Sequence, residues 1–299
     1  MKHLLSIETL TAPEIHRLLD LAAEMKATRG KHAAHPLRHQ CWALIFSKSS
    51  TRTRVSFEVG IRELGGDVMF LSASDIQLGR GEPIKDTARV MGRMLHGAII
   101  RTFAQQDVAD FAQYSGIPTI NALTDDEHPC QILSDLQTIR ERLGTVEGKV
   151  VTFIGDGACN VPRSFMWAAA RLGFDLRIAA PAPFQPDAAL LAKLGPRVTV
   201  TSDVAAAAAG ADVLYTDVWV SMGKEEEAEY RIAQLGGYQI NAALIAKAKP
   251  GALVMHCLPA YRGKEITDEA FEQHAETIFD QAENRLHAQK AVLSLLAQG

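Results

Sequence analysis

Apolar and polar positions follow two rhythms along this chain. Short, nearly continuous apolar runs recur in the first half: CWALIF (41–46), DVMFL (67–71), GAIIRTF (97–103) and PTINAL (118–123). Segments near 52–64, 84–95 and 106–115 separate them and repeat apolar residues at helical spacing. The second half does the same with KVVTFIGD (149–156), DLRIAAP (175–181), RVTVTSD (197–203), DVLYTDVW (212–219) and ALVMHCLP (252–259), and with helical segments near 160–172, 187–194, 204–209 and 241–248. Apolar strands alternating with helices predict parallel sheets covered on both faces. The expected fold class is α/β: two doubly wound α/β domains with parallel sheets, joined by helices. One joining helix is HPCQILSDLQTIRERLG (128–144), where Ile132, Leu136, Ile139 and Leu143 form a stripe and Gly144 ends it. The tail QAENRLHAQKAVLSLLAQG predicts another, with Leu286, Ala291, Val292, Leu295 and Leu296 on an apolar face that packs back across the molecule.

Composition narrows the partners. The chain has 299 residues, more than one compact domain usually holds, and 47% hydrophobic residues are enough for two cores. A formal net charge of −4 without blocks of like charge argues against nucleic acid or a membrane surface, so the expected partner is a small molecule. Cys41, Cys130, Cys159 and Cys257 are scattered, with no C-x-x-C pair, and read as reduced thiols of a cytoplasmic protein. MKHLLSIETL lacks the pattern of a secretion signal, and no apolar stretch is long enough to span a bilayer. No residue cluster has metal-ligand spacing, and no cofactor is expected.

The densest chemistry is SKSSTRTRVSFE (47–58), placed where the strand CWALIF hands over to a helix. In open α/β sheets ligands bind beyond the carboxyl ends of strands, and helix N-termini favour anions. Ser50, Thr51 and Thr53 add hydroxyls and Arg52 a bidentate fork. Two arginines in a first turn oppose the helix dipole unless an anion neutralises them. Arg54, four residues before Glu58, is expected to pair along the helix, which leaves Arg52 for the ligand. Arg101 ends GAIIRTF, while His128 and Gln131 open the joining helix. Singly, such residues are more often a surface ion pair and a solvated loop; together they would ring one anion at the sheet's carboxyl edge. GDGACN after KVVTFI lacks the third glycine of a dinucleotide fingerprint.

SSTRTRVSFE, QLGRGEPIKDTARV, IIRTF, HPCQILSD, DVWVSMG and HCLPAYRGKEIT occur in this order along the whole chain. The sequence thereby resembles the aspartate/ornithine carbamoyltransferase family, and D-x-W-x-S-M-G with H-C-L-P resembles its ornithine branch. The resemblance implies a carbamoyl-phosphate domain over 1–140, an ornithine domain over 141–282, and a C-terminal helix over 283–299 returning to the first domain. It implies that Ser50, Thr51, Arg52 and Thr53 grip the phosphate and that Arg101, His128 and Gln131 surround the carbamoyl group. Arg285 is a further contact, and Gln77 reaches a neighbouring subunit's site. For L-ornithine it implies Asn160 on the α-carboxylate, and Asp217 and Ser221 on the α-amino group with the Met222 backbone nearby. Cys257 lies beside the reacting amine and the Leu258 carbonyl on the carbamoyl NH2, with a cis Leu258–Pro259 bond. Cys159 and Tyr261 depart from the family pattern.

The implied reaction moves the carbamoyl group of carbamoyl phosphate to the δ-amine of L-ornithine, giving citrulline and phosphate, in a homotrimer without metal. Arg52, Arg101, His128, Asp217 and Cys257 are the implied catalytic set. Two other readings stand beside it: a carbamoyltransferase for putrescine or acetylornithine, and a non-catalytic binding protein on the same fold. Putrescine has no α-carboxylate for Asn160, and an acylated α-nitrogen is no ammonium partner for Asp217.

Overall fold

In the computed structural model, residues 1–72, 81–221 and 223–298 are described. Contacts divide the chain into two units, Met1–Gln137 with Asn284–Gly299, and Thr138–Glu283.

The first unit holds β1 (Cys41–Phe46), β2 (Asp67–Ser72), β3 (Gly97–Arg101) and β4 (Thr119–Leu123), all parallel, in the order β2-β1-β3-β4. β1 and β3 are buried on both faces, which is why they read as unbroken apolar runs. Gly97 is required where β3 passes the Trp42 ring, because a Cβ there would lie 2.3 Å from it. The helices are α1 (Ala12–Ala27), α2 (Thr51–Glu63), α3 (Ile84–Met91), α4 (Gln105–Ser115) and α5 (Pro129–Leu143), which runs on into the second unit. Ala43, Ile45, Ala98 and Ile100 of the sheet pack on Ala88, Val108 and Phe111 of α3 and α4. Strand order reverses between β1 and β3, so the crevice beyond their carboxyl ends lies between SKSSTRT and Arg101.

The second unit holds β5 (Val150–Ile154), β6 (Asp175–Ala179), β7 (Val198–Thr201), β8 (Val213–Thr216) and β9 (Leu253–His256), parallel, in the order β7-β6-β5-β8-β9. Its helices are α6 (Asn160–Leu172), α7 (Ala188–Leu194), α8 (Val204–Ala208), α9 (Ala228–Leu235), α10 (Ala242–Ile245), α11 (Asp268–Gln273) and the start of α12 (Ala275–Leu296). Here the order reverses between β5 and β8, which places GDGACN and DVWVS beside the crevice. Gly157 lets the β5–α6 loop close on β6, since a Cβ would stand 2.4 Å from Ile178. Among the described residues no helix is long and apolar enough to cross a membrane.

Every expected strand forms: β1 keeps its expected ends, β2 runs one residue further, and the others are trimmed by one to three residues at an end. Three helices were not expected: α1, α9 and α11. α1 has a complete start signal, with Thr11 and Glu14 in a reciprocal capping box and Pro13 in the first turn, and it buries Ile15, Leu18, Leu19 and Ala22. The tail differs more. The amphipathic reading of α12 is too narrow, because its second half buries Asn284, Arg285, His287, Gln289 and Lys290 as well as its apolar side chains. Asn284, Arg285, Gln289 and Lys290 find partners inside the first unit. Lys290 Nζ, with no exposed surface, lies 2.6 Å from Glu63 Oε2 at the end of α2, and Lys26 Nζ donates to Asn284 Oδ1 at 2.8 Å.

Burial alone would raise the Glu63 pKa, but the hydrogen bond and charge of Lys290, helped by Arg29, outweigh it and hold the carboxyl below its usual range. A depressed carboxyl contributes stability above its unfolded pKa and loses it as pH falls through the folded value. Glu63→Gln should therefore flatten the acid limb of the melting-temperature profile. Glu63→Ala, leaving Lys290 buried without its counter-ion, should cost about 3 kcal/mol in urea unfolding.

Candidate active site

In the first unit the site begins at α2. Ser50 caps the helix, its Oγ accepting from Thr53 N–H at 3.3 Å. No acidic residue occupies the first turn, so the positive end of the dipole stays available to an anion. Thr51 is exposed and Arg52 half-buried. Among the described residues nothing pairs with the Arg52 guanidinium, whereas Arg54 Nε donates to Glu58 Oε1 at 2.7 Å and stacks over Phe70 at 3.7 Å. The expected Arg54–Glu58 pair is thus present. Lys48, in the same loop, turns away from the helix end, pairs with Asp125 and lies 4.2 Å over the Phe103 ring.

β3 and α5 bring the next groups. Arg101 is nearly buried at the end of β3, after a bulge between Ile100 and Arg101, and its carbonyl accepts from Ser47 N–H at 2.8 Å. This bond ties the strand end to the first residue of the phosphate-type loop. His128 precedes α5 and its carbonyl accepts from Gln131 N–H at 3.0 Å. Arg285, from α12, donates through Nη1 to Gln131 Oε1 (2.7 Å) and through Nη2 to Thr53 Oγ1 (3.1 Å). With its amide oriented to satisfy both partners, Gln289 donates to Ser56 Oγ (2.6 Å) and accepts from Arg285 (3.0 and 3.3 Å). Gln131 Nε2 donates to Asp135 Oδ1 at 2.8 Å. One Arg285 fork therefore fixes a residue of the α2 turn and a residue of the α5 entrance together.

Burial, followed by the charges of Arg285 and Arg101, pushes the His128 pKa well down. The imidazole is neutral at neutral pH and offers one N–H to a carbonyl oxygen without adding charge. The neighbouring Cys130 thiol is pushed up to about 12, chiefly by burial, and is inert.

In the second unit the β5–α6 loop is shaped by Asp156. Its Oδ1 accepts from Ala158 N–H (3.0 Å), its Oδ2 from Arg231 Nη1 (2.7 Å), and its carbonyl from the Cys159 thiol (3.1 Å). Cys159 sits at the cap of α6 without capping it by side chain, so its departure from the family pattern is absorbed by that sulfur contact. Asn160, half-buried, opens a helix with no acidic residue in its first turn, a fit for a carboxylate. Arg231 also donates to Glu227 Oε2 (2.9 Å) and to the Trp219 carbonyl (3.4 Å), which lies two residues before the half-buried Ser221.

Beyond β8 and β9 stand Asp217, His256 and Cys257, with a donor atom of each within 4.8 Å of the others. Burial raises the Asp217 pKa, against the opposing effects of His256, a hydrogen bond from Cys257 and one from Val218 N–H at 2.7 Å. A cation placed there would favour the charged carboxylate. The Leu258–Pro259 bond is cis, and Leu258 takes φ 60°. Leu258 N–H donates to His256 Nδ1 (2.9 Å), so the other nitrogen carries the proton and donates to buried Glu265 Oε1 (3.1 Å). Glu265 Oε1 also accepts from Tyr261 N–H.

Sequence reasoning missed His256, Glu265, Asp156, Arg231 and Lys48. His256 stood in HCLP, but its partner is nine residues on, and Asp156 and Arg231 are 75 residues apart. Gln77 and Met222 lie outside the described residues. The three donors around Asp217 were not visible in spacing either. They make a poor metal site, because both His256 nitrogens are already engaged and only a carboxylate and a thiol remain.

Two outcomes follow. Arg285→Met should raise the His128 pKa by removing the nearer of two cations, read by NMR titration of the imidazole, while burial keeps it below the free value. Turnover should be unchanged in EDTA.

Family models match both halves: the carbamoyl-P binding domain of aspartate/ornithine carbamoyltransferase over residues 2–141, and its Asp/Orn binding domain over 147–296. The ornithine carbamoyltransferase of Akkermansia muciniphila is 59% identical over 300 residues, covering 99% of this chain and 98% of that protein. The anabolic ornithine carbamoyltransferase of Pseudomonas aeruginosa is 48% identical, over 100% of this chain and 98% of its own length. Among solved structures, ornithine carbamoyltransferase from Pyrococcus furiosus superposes with a TM-score of 0.93 at 44% identity, over 100% of this chain and 97% of that one. Matched along its whole length by both domain models, the chain belongs to the aspartate/ornithine carbamoyltransferase family.

Proposed function

We propose that this protein transfers the carbamoyl group of carbamoyl phosphate to the δ-amine of L-ornithine, releasing citrulline and phosphate. The observation that carries the reading is the raised Asp217 carboxyl beside Cys257 on a chain whose other unit ends its strands in an anion-seeking helix turn. An ammonium-binding group and a phosphate-binding group are what the two substrates require.

In the first unit the α2 N-terminus with Ser50, Thr51, Arg52 and Thr53 holds the phosphate, and Arg52 neutralises it as it departs. Arg101, neutral His128 and Thr53 donate to the carbonyl oxygen, where negative charge develops in the tetrahedral intermediate, and preorganised donors of this kind supply the largest single term in acyl-type transfer. Gln131 has one amide hydrogen beyond its Asp135 bond for the carbamoyl group, and Arg285 holds Gln131 and Thr53 in register. In the second unit Asn160 binds the α-carboxylate, and Asp217 with Ser221 binds the α-ammonium. Cys257 and the Leu258 carbonyl position the amine and the carbamoyl NH2; His256, held by Glu265, fixes the backbone that presents them. Gln77 and Met222 keep the roles that the family resemblance gives them. No covalent intermediate forms, since holding two reactants in attacking geometry lowers a barrier by roughly 7–11 kcal/mol.

The assembly is a homotrimer, a reading supported by the edge of the first sheet: among the described residues β2 pairs with β1 alone, and its Met69 is 48% exposed. The compartment is the cytoplasm, in keeping with four free thiols.

Purified protein should form citrulline from ornithine, and neither putrescine nor acetylornithine should replace it. Arg52→Ala should lower kcat/KM for carbamoyl phosphate by about 10²–10³, the loss typical of a transition-state charge partner; unchanged activity would remove Arg52 from the phosphate. Because the δ-ammonium must lose a proton and His128 does not titrate in this range, kcat/KM for ornithine should rise from neutral to mildly alkaline pH.

A further inference from the structure

The loop TDDEHPCQ yielded His128 and Gln131 on sequence grounds and left Glu127 unmentioned. Glu127 is 3% exposed. Its Oε2 accepts from Ile7 N–H at 2.8 Å, 120 residues away in sequence. Its backbone is held as well: its carbonyl accepts from Thr124 N–H at 2.9 Å and its N–H donates to Thr124 Oγ1 at 3.1 Å. Thr124 Oγ1 in turn donates to Gln105 Oε1 at 2.6 Å, at the start of α4.

The segment that receives Glu127 is itself part of the sheet. Leu4 N–H donates to the Thr119 carbonyl (2.9 Å) and the Leu4 carbonyl accepts from Asn121 N–H (2.7 Å), extending the sheet past β4 in parallel. The Leu5 carbonyl accepts from Asn121 Nδ2 (2.9 Å) and from Gln105 Nε2 (3.0 Å). Leu4 and Ile7 are fully buried, so this strand-like segment is a fixed anchor. We infer that Glu127 is a positioning residue that locks the residue before His128 to the N-terminal segment and thereby sets where the imidazole stands. The inference rests on the reading of His128 as a donor to the carbamoyl carbonyl.

The carboxylate makes a charge-assisted hydrogen bond to a backbone N–H that has no water to turn to. Truncating it leaves that N–H without its carboxylate acceptor and frees the turn, and the displacement reaches His128 through a single peptide unit. Asn160, Asp217 and Cys257 belong to the other unit, so ornithine recognition should not feel it.

The test compares Glu127→Ala, Glu127→Gln and Thr124→Val with the wild type by KM for each substrate, kcat and melting temperature. Glu127→Ala should raise KM for carbamoyl phosphate or lower kcat by about tenfold or more, in line with the cost of misplacing a reacting group by a fraction of an ångström. KM for ornithine should stay within about threefold, the spread expected for an interaction remote from its site. Glu127→Gln, which keeps an acceptor for Ile7, should recover most of the loss. If Glu127→Ala does not fold, Thr124→Val, which removes the hydroxyl bond to Glu127 N–H, should give the same carbamoyl-phosphate-selective defect. A fall in melting temperature with unaltered kinetics, or equal changes in KM for both substrates, would overturn the inference. A wild type that makes no citrulline would overturn the underlying reading instead.

Discussion

A single guanidinium organises the first unit. Arg285 enters from the last helix, almost the far end of the chain, and its two arms close on Thr53 at the start of α2 and Gln131 at the start of α5. Both acceptors belong to helices that start at the sheet's carboxyl edge, so one planar fork ties the starts of α2 and α5 together. The fork is buried, where an unmatched donor is costly, and its remaining valence is taken up by Gln289. Its charge also adds to burial in pushing the His128 pKa down. Geometry and electrostatics thus come from the same side chain. The same helix fastens α2 a second time, through Lys290 at Glu63, so α2 is held at both ends.

The second unit solves its problem with buried polar pairs. Asp156 and Arg231, an ion pair, join the turn after β5 to α9, and Glu265 hydrogen-bonded to the neutral His256 ring stiffens the turn after β9. Both pairs also engage backbone groups, those of Ala158, Trp219, Leu258 and Tyr261. Such pairs are costly to bury and costly to break, and their use here is to fix backbone direction where a substrate must find donors already in place.

How much of this could be read from the chain depends on range. The nine described strands were visible as short apolar runs, unbroken where a strand such as β1 or β3 is buried on both faces. The anion loop was visible because its hydroxyls and arginines are contiguous, and the Arg54–Glu58 pair because helical spacing makes them neighbours. α1 was missed although Thr11, Pro13 and Glu14 announce it, since no strand preceded it to frame the alternation. Lys48 with Asp125, Glu127 with Ile7 and Asp156 with Arg231 were out of reach for a different reason. Composition marks a charge, but the partner of a buried charge is chosen by topology. The tail was half legible: its apolar residues gave a helix, and its buried polar residues, which look like a solvated face, gave no sign that the helix is surrounded.

Lys290 acquires a further meaning in a protein that handles an activated carbamoyl group. Only an unprotonated amine can attack a carbamoyl donor, and burial pushes the Lys290 pKa down. Its side chain has no exposed surface and its nitrogen is clasped by Glu63 and His32. Burying this nitrogen between Glu63 and His32 therefore withholds the one lysine amine of the α2–α12 contact from solutes while it fastens the two helices together.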